Sequence, residues 1–344
     1  MKTAIKIILT IIILFLAFSF IKFKFLNNRQ TSLPSTFICN LVDRAANSAG
    51  ITGTDLGIGL VRNNSLYLFF GDTNGGKINK NIAASTIAVA PKSATPDCAD
   101  FTWPRLEPLK SAKKTGTDIS TVPSGIIQIG KTVYLFAMRM TNWDFLNKNG
   151  NHGYGLLFKS DGTENFQETK TLWSPDSIHM NSAPIFGTSP DGKPVVYIYA
   201  TGEYRKSGIY LAYVDPSQIE NKSAYHYYPN WTTDISEATP LIDANAGELS
   251  AVYNSTLKKY LLMFSNYSLT NGGLKLYASD SPAGPFQKYS LNPCAKNSDW
   301  MKEGWRSCYG GYILPETFGT DGRDVYYTLS LWRPYTTVLM KTRL

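Results

Sequence analysis

The stretch GTDLGIGLVRNNSLYLFFGDT, residues 53–73, reads as a β-hairpin, and the rest of the chain is interpreted from it. Leu56 to Arg62 and Leu66 to Phe70 are strand-like runs. Asn63-Asn64 between them suits a two-residue turn, because Asn tolerates the positive φ such turns demand. That turn would pair Val61 with Leu66, Gly57 with Phe70 and Asp55 with Asp72. Side chains directly opposed in an antiparallel pair have Cβ atoms about 4.5–5.5 Å apart, and like charges there destabilise the sheet. The fold gains nothing from opposing two aspartates, so the pair points to chemistry. The alternative is that both, each beside Gly and Thr, cap turns.

The hairpin is one of a series. Strand-like segments begin at Leu66 (LYLFFGD), Val133 (VYLFAMR), Val196 (VYIYATGE), Tyr260 (YLLMFSN) and Val325 (VYYTLSL), at spacings of 67, 63, 64 and 65 residues. Each follows a turn-like stretch, and each precedes a second candidate: STIAVAP, GLLFKSD, GIYLAYVD, GLKLYASD and TTVLMKT. Aromatic-rich segments at Trp103, Trp173, Tyr227-Tyr228 and Phe286 close most units. A self-similar unit of three or four strands at a long fixed period is the mark of a β-propeller. The expectation is an all-β, five-bladed β-propeller forming a single domain over residues 36–344. The fifth unit ends at Leu344 without room for a fourth strand, so FICNLV (37–42) is expected to supply it and close the ring.

Composition agrees. Aromatic residues make up 13% of the 344 and charged residues 17%, with no long amphipathic helical pattern. The formal charge is +8, but Lys2, Lys6, Lys22 and Lys24 flank an N-terminal apolar run and carry four of those charges. The remaining +4 is spread without a dense cluster, which argues against nucleic acid as a partner. Lys2 and Lys6 precede the uncharged run Ile7 to Ile21, the layout of an export signal. Residues 1–26 are read as a signal peptide or membrane anchor and 27–35 as a polar linker. The chain is then exported: periplasmic, cell-surface or secreted, and membrane-associated if the segment stays uncleaved. Cys39, Cys98, Cys294 and Cys308 fit an exported protein with up to two disulfides. They allow three pairings, one of which joins Cys294 to Cys308 and Cys39 to Cys98.

In a propeller, a hairpin returns its second strand to the face where the first began. Asp55, Asp118 and Glu248 sit at the start of first strands; Asp72, Arg139, Glu203, Asn266 and Trp332 follow second strands. Both sets should project toward one opening. Paired carboxylates there suit glycoside hydrolysis: one, protonated, gives its proton to the leaving oxygen, and the other, ionised, attacks or activates water. Aromatic rings stack on sugar faces while Arg and Asn hold hydroxyl groups. Asp55, Asp72, Glu248 and Glu203 are the catalytic candidates. Asp118, Arg139, Asn266, Tyr309, Trp332 and Tyr335 are the substrate-binding ones. Blander roles exist for each: Asp118 as a turn cap, Glu203 and Glu248 as strand-end charges, Arg139 as an ion-pair partner. Trp305, Tyr309 and Trp332 could equally be core aromatics.

Of the isolated histidines 152, 179 and 226, only His179, which precedes a strand, is a candidate for lining the channel. The mechanism requires no cofactor, and a structural calcium ion in the channel is compatible with it.

Taken together, GTDLG, LYLFFGDT, GELSAVYN, Ser-Pro-Ala-Gly-Pro-Phe (281–286), Tyr309-Gly310-Gly311 and LSLWRPY (329–335) resemble a bacterial domain-of-unknown-function family. Some of its members are endo-D-arabinanases, five-bladed propeller glycosidases. The resemblance covers about residues 50–344. It implies a five-bladed propeller and furanosidase chemistry at Asp55 and Asp72. A non-catalytic carbohydrate-binding propeller and an envelope scaffold are the rival readings. The expected partner is a polysaccharide or glycoconjugate, and the expected state a monomer.

Overall fold

The computed structural model describes residues 31–75, 80–83, 85–104, 106–109, 118–142, 153–174, 177–294 and 308–344. The N-terminal segment 1–26, the linker up to residue 30, His152 and Trp305 lie outside the described residues.

The hairpin forms as read at its tip. Asn63 and Asn64 have φ of 50° and 58°, and Val61 pairs with Leu66. Its open end differs. Gly57 bulges out at φ 104°, so Leu56 rather than Gly57 pairs with Phe70. The Gly71 amide then donates to the Asp55 carbonyl at 3.0 Å, and Asp55 lies opposite Gly71, not Asp72. The expected register is corrected here by one residue. The cause lies in the last part of the chain. Ser330 Oγ accepts from the Leu56 amide at 2.7 Å, and Thr328 Oγ1 donates to the Gly57 carbonyl at 3.0 Å. A Cβ on Gly57 would stand 2.8 Å from Thr328 Cγ2, so only glycine fits both the close approach and the positive φ.

The antiparallel plan recurs through the chain. Leu56–Arg62, Ser65–Phe70 and Thr86–Pro91 form the first group. The second is Ser120–Ile129, Thr132–Met140, Gly153–Ser160 and Gln167–Trp173. The third is Asn181–Thr188, Pro194–Thr201, Ser207–Val214 and His226–Tyr227; the fourth is Ile242–Asn254, Lys259–Asn266, Gly273–Ser279 and Gln287–Leu291. The third and fourth are hydrogen-bonded into one nine-stranded sheet, with Thr31–Leu33 added parallel on its edge. The fifth is Cys308–Ile313, Asp324–Leu331 and Thr336–Arg343, and Ser35–Asn40 pairs antiparallel with its outer strand. Among the described residues there are also a small sheet of Ile51–Gly53, Thr73–Gly75 and Lys80–Ala83, one α-helix, α1 (Arg44–Ser48), and four single-turn 3-10 helices. The chain is all-β.

The first strands of the groups touch in a closed cycle. Leu56–Arg62 contacts Ser120–Ile129, which contacts Asn181–Thr188, then Ile242–Asn254, then Cys308–Ile313, which returns to Leu56–Arg62. The core is accordingly divided among the spaces between neighbouring groups. Phe69 packs with Leu135 and Phe158 of the second group, whereas its neighbour Phe70 packs with Tyr326 and Leu339 of the fifth. Leu135 and Phe136 divide in the same way between the first and third groups. This is the period-2 alternation of a strand with both faces buried.

Disulfides join Cys39 to Cys98 and Cys294 to Cys308. The first ties the closing strand Ser35–Asn40 to the segment that follows the first group.

Candidate active site

The cycle opens at one end into a cavity of about 740 Å³. Bulges at the entrance of three first strands aim side chains into it. The break at Gly57 comes two residues after Asp55, the register break between Ala246 and Leu249 contains Glu248, and that between Tyr309 and Tyr312 follows Tyr309. Bulges re-aim side chains in this way at the rims of closed sheets.

Asp55 is partly buried. Its Oδ2 accepts from the Tyr309 hydroxyl at 2.9 Å, while its Oδ1 is buried without a hydrogen-bond partner. Gly71 packs so closely that a Cβ there would lie 2.4 Å from Oδ1. Burial, then the charge of Asp72, push the Asp55 carboxyl up to about 8. Glu248 adds to the rise, and the Tyr309 and Tyr335 hydroxyls oppose it. At neutral pH Asp55 therefore carries a proton. Asp72, at the end of the second strand, accepts from Ser120 Oγ at 2.7 Å, and its backbone carbonyl accepts from the Tyr335 hydroxyl at 3.0 Å.

Glu248 is fully buried and tied on both oxygens. Oε1 accepts from Arg205 Nη2 at 2.8 Å and from the Tyr204 hydroxyl, and Oε2 accepts from Tyr267 at 3.1 Å. Burial opposes its charge, but the Arg205 guanidinium and these donors outweigh burial and hold its carboxyl below the ordinary range. Asp55 and Glu248, in the same cavity, are thus shifted in opposite directions, Asp55 toward its protonated form and Glu248 toward its ionised form. Arg205 lies over the rings of Tyr267 (4.3 Å), Tyr204 (4.7 Å) and Tyr309 (5.7 Å). At the mouth, Trp332 is 61% exposed and stands edge-on to Tyr335, 6.0 Å between centroids.

Six of the expected residues meet in this cavity: Asp55, Asp72, Glu248, Tyr309, Trp332 and Tyr335. Four do not. Glu203 forms a surface ion pair with Lys206 at 2.5 Å. The chain turns through residues 201–206, with the Lys206 and Ser207 amides donating to the Glu203 carbonyl, and this turn delivers Arg205 to the cavity in its place. Asp118 and Arg139 are joined to each other (3.5 Å), and Arg139 is also held by Glu168 (2.8 Å), an ion-pair set within the second group. Asn266 ties the loop that follows it to the neighbouring strand Ile242–Asn254, its Oδ1 accepting from the Asn245 and Ser268 amides and its Nδ2 donating to the Asn271 carbonyl.

Sequence reasoning missed Tyr204, Arg205, Tyr267 and Arg333, which also line the cavity. Tyr204 and Arg205 directly follow the VYIYATGE segment, and Arg333 lies within LSLWRPY, so the motifs were adjacent signals. His179 lies in the core between the second and third groups, 5.1 Å from Trp173 and 5.6 Å from Tyr225. Burial pushes its imidazole down to about 3. Among the described residues, no three His, Cys, Asp or Glu side chains are grouped to hold a metal ion. No helix among them is long and apolar enough to cross a membrane.

A family model described as a domain of unknown function, DUF4185, matches residues 42–341. No curated protein matches the sequence. Among solved structures, a family 117 glycoside hydrolase from Zobellia galactanivorans aligns with TM-score 0.52 at 12% identity, over 91% of this chain and 90% of that one. A GH43_1 enzyme from Xanthomonas citri aligns with TM-score 0.50 at 15% identity, over 90% of this chain and 91% of that one. An exo-β-1,3-galactanase from Phanerochaete chrysosporium, solved with β-1,3-galactotriose, aligns with TM-score 0.52 at 12% identity, over 83% of this chain and 59% of that one. At such identities the likeness shows the fold alone, a propeller fold shared with glycoside hydrolases.

Proposed function

The chain belongs to the DUF4185 family, and from that premise we propose that it is an exported glycoside hydrolase acting on a furanose-containing polysaccharide. The groups of strands are then the five blades of one propeller, and residues 1–26 its export signal or membrane anchor. Two disulfides support a location outside the cytoplasm.

The observation that carries the reading is the placement of Asp55 with Asp72 in one aromatic-rimmed cavity, where burial and the Asp72 charge favour the protonated form of Asp55. Asp55 gives its proton to the leaving glycosidic oxygen as the C–O bond breaks. Asp72, its Oδ1 held by Ser120, is the partner carboxylate that either attacks the anomeric carbon or removes a proton from the attacking water. Trp332 and Tyr335 supply a ring surface for a sugar face at the mouth. Glu248, tied on both oxygens, is an ionised anchor rather than a proton carrier.

The test is the pH–rate profile on a furanose polymer such as arabinan. The reading expects a high-pH limb near the Asp55 midpoint of about 8, lost in Asp55→Asn together with the activity. A profile flat through that region counts against Asp55 as the acid.

A further inference from the structure

We propose that Arg205 is a positioning residue for Asp55 and acts through Tyr309: its guanidinium, locked to Glu248, is the surface that holds the Tyr309 ring where the hydroxyl reaches Asp55. The inference rests on the reading of Asp55 as the proton-bearing group and deepens it.

The chain of contacts crosses three junctions between strand groups. Arg205 comes from the third group, Glu248 from the fourth, Tyr309 from the fifth and Asp55 from the first. Each link is short. Arg205 Nη2 donates to Glu248 Oε1 at 2.8 Å, the Arg205 guanidinium carbon lies 5.7 Å from the Tyr309 centroid, and Tyr309 donates to Asp55 at 2.9 Å. The far end is held from several sides, because Tyr204 and Tyr267 also donate to Glu248, which has no exposed surface. Tyr204 and Tyr267 also flank the guanidinium itself.

The local backbone has been bent to this arrangement. Arg205 has φ 64°, a conformation that non-glycine residues rarely adopt and that is retained where function over-determines it. Its amide donates to the Ala246 carbonyl at 3.1 Å, which fixes the bend. Gly247 makes room: a Cβ there would stand 2.6 Å from the Tyr267 ring and 3.2 Å from Arg205 Cγ. A planar guanidinium can stack on several rings while bonding a carboxylate in its own plane; an ammonium group cannot. The set of rings and carboxylate around this side chain is therefore specific for arginine.

The readout is the protonation midpoint of Asp55, followed by carboxyl 13C NMR of the full chain with Asp55→Asn to assign the resonance. The groups that face Asp55 are Asp72, Glu248, Tyr309 and Tyr335. Tyr309→Phe removes a hydrogen bond to the ionised form, so the midpoint rises by about one pH unit. Arg205→Lys keeps the charge beside Glu248 and loses the stacking surface, and its midpoint rises in the same direction. Should Lys disturb folding, Arg205→Gln is compared with Arg205→Gln/Tyr309→Phe, so that the lost charge is common to both and equal midpoints report loss of the Tyr309 link. In the double variant Arg205→Lys/Tyr309→Phe the midpoint equals that of Tyr309→Phe alone. An Arg205→Lys midpoint unchanged from the parent, with Tyr309→Phe shifted, would overturn the proposal. So would additive shifts in the double variant, since Arg205 would then act independently of Tyr309. No substrate enters the measurement. A chain that cuts no glycan and still shows these shifts retires the hydrolase reading and leaves this one standing.

Discussion

The hydroxyl of Tyr309 reaches Asp55 at 2.9 Å although 254 positions of sequence separate the two residues. The candidate acid is thus supported by the last strand group, and the site exists only when the two ends of the chain meet. Thr337 Oγ1 on the Thr54 carbonyl and Tyr335 on the Asp72 carbonyl reinforce the same junction. The contacts that close the fold also build the site.

The latch on that closure is the Cys39–Cys98 disulfide, which bridges 59 positions. Chain-entropy arguments give a loop of this length about 4 kcal/mol of stabilisation. A Cys39→Ala/Cys98→Ala variant should lose about that amount of stability in urea unfolding, with activity and folding lost together as the junction opens. An unchanged midpoint would show that strand pairing alone closes the ring.

Asp55 should destabilise the fold as it ionises. Its folded midpoint of about 8 lies above the ordinary 3.8, so between these values the folded state keeps a proton that the unfolded state has lost. Stability from this group is fully present below the lower value and falls with rising pH through the upper one, by up to about 1.4 kcal/mol per pH unit. The stability of Asp55→Asn relative to the parent should therefore grow between roughly pH 4 and 8 and level off above. Urea titrations at several pH values measure this; a constant difference contradicts the burial argument.

His179 has the opposite sign. Held down at about 3 against an ordinary 6.5, it is neutral in the fold and takes a proton on unfolding in acid. Its contribution is intact above the upper value and is lost as pH falls toward the lower. Both ring nitrogens are buried without partners among aromatic rings, so His179→Phe keeps the packing and removes the liability. The variant should resist acid unfolding better than the parent, as circular dichroism between roughly pH 3 and 6 would record.

Gly71 presses on Asp55. An added Cβ would stand 2.4 Å from Oδ1, and the carboxyl must shift to admit it. Gly71→Ala should cost about a hundredfold in rate, the scale of an ångström of misplacement at a reacting group. Gly192→Ala is the control. Its φ is +84° with nothing within 4 Å of an added Cβ, so it should cost stability and leave the rate unchanged.

These positions also show how far the sequence alone could be read. Asn63-Asn64 marks its turn because a two-residue loop makes a local demand on φ, and alternation marks the strands because their period is local too. The slip at Gly57 was invisible, since it is imposed by Ser330 and Thr328 from far along the chain. Asp55 and Asp72 reach the same cavity, but by a bulge and not as an opposed pair. Asp118 and Arg139 occupy positions equivalent to site residues, yet each had a charged partner close by, and nothing in their order revealed it. Glu203 gave way to Arg205 because a turn of a few residues decides which side chain faces inward.

The central claim is that Asp55 and Asp72 carry out glycoside hydrolysis, and it is tested most directly by incubating the full chain with arabinan and a panel of other polysaccharides beside Asp55→Asn and Asp72→Asn. The account predicts oligosaccharide release from a furanose polymer by the parent chain. It predicts a loss of about a thousandfold or more in both variants, with their folding and glycan affinity retained. A parent chain that binds such a polymer without cutting any member of the panel would contradict it and leave a glycan-binding propeller in its place.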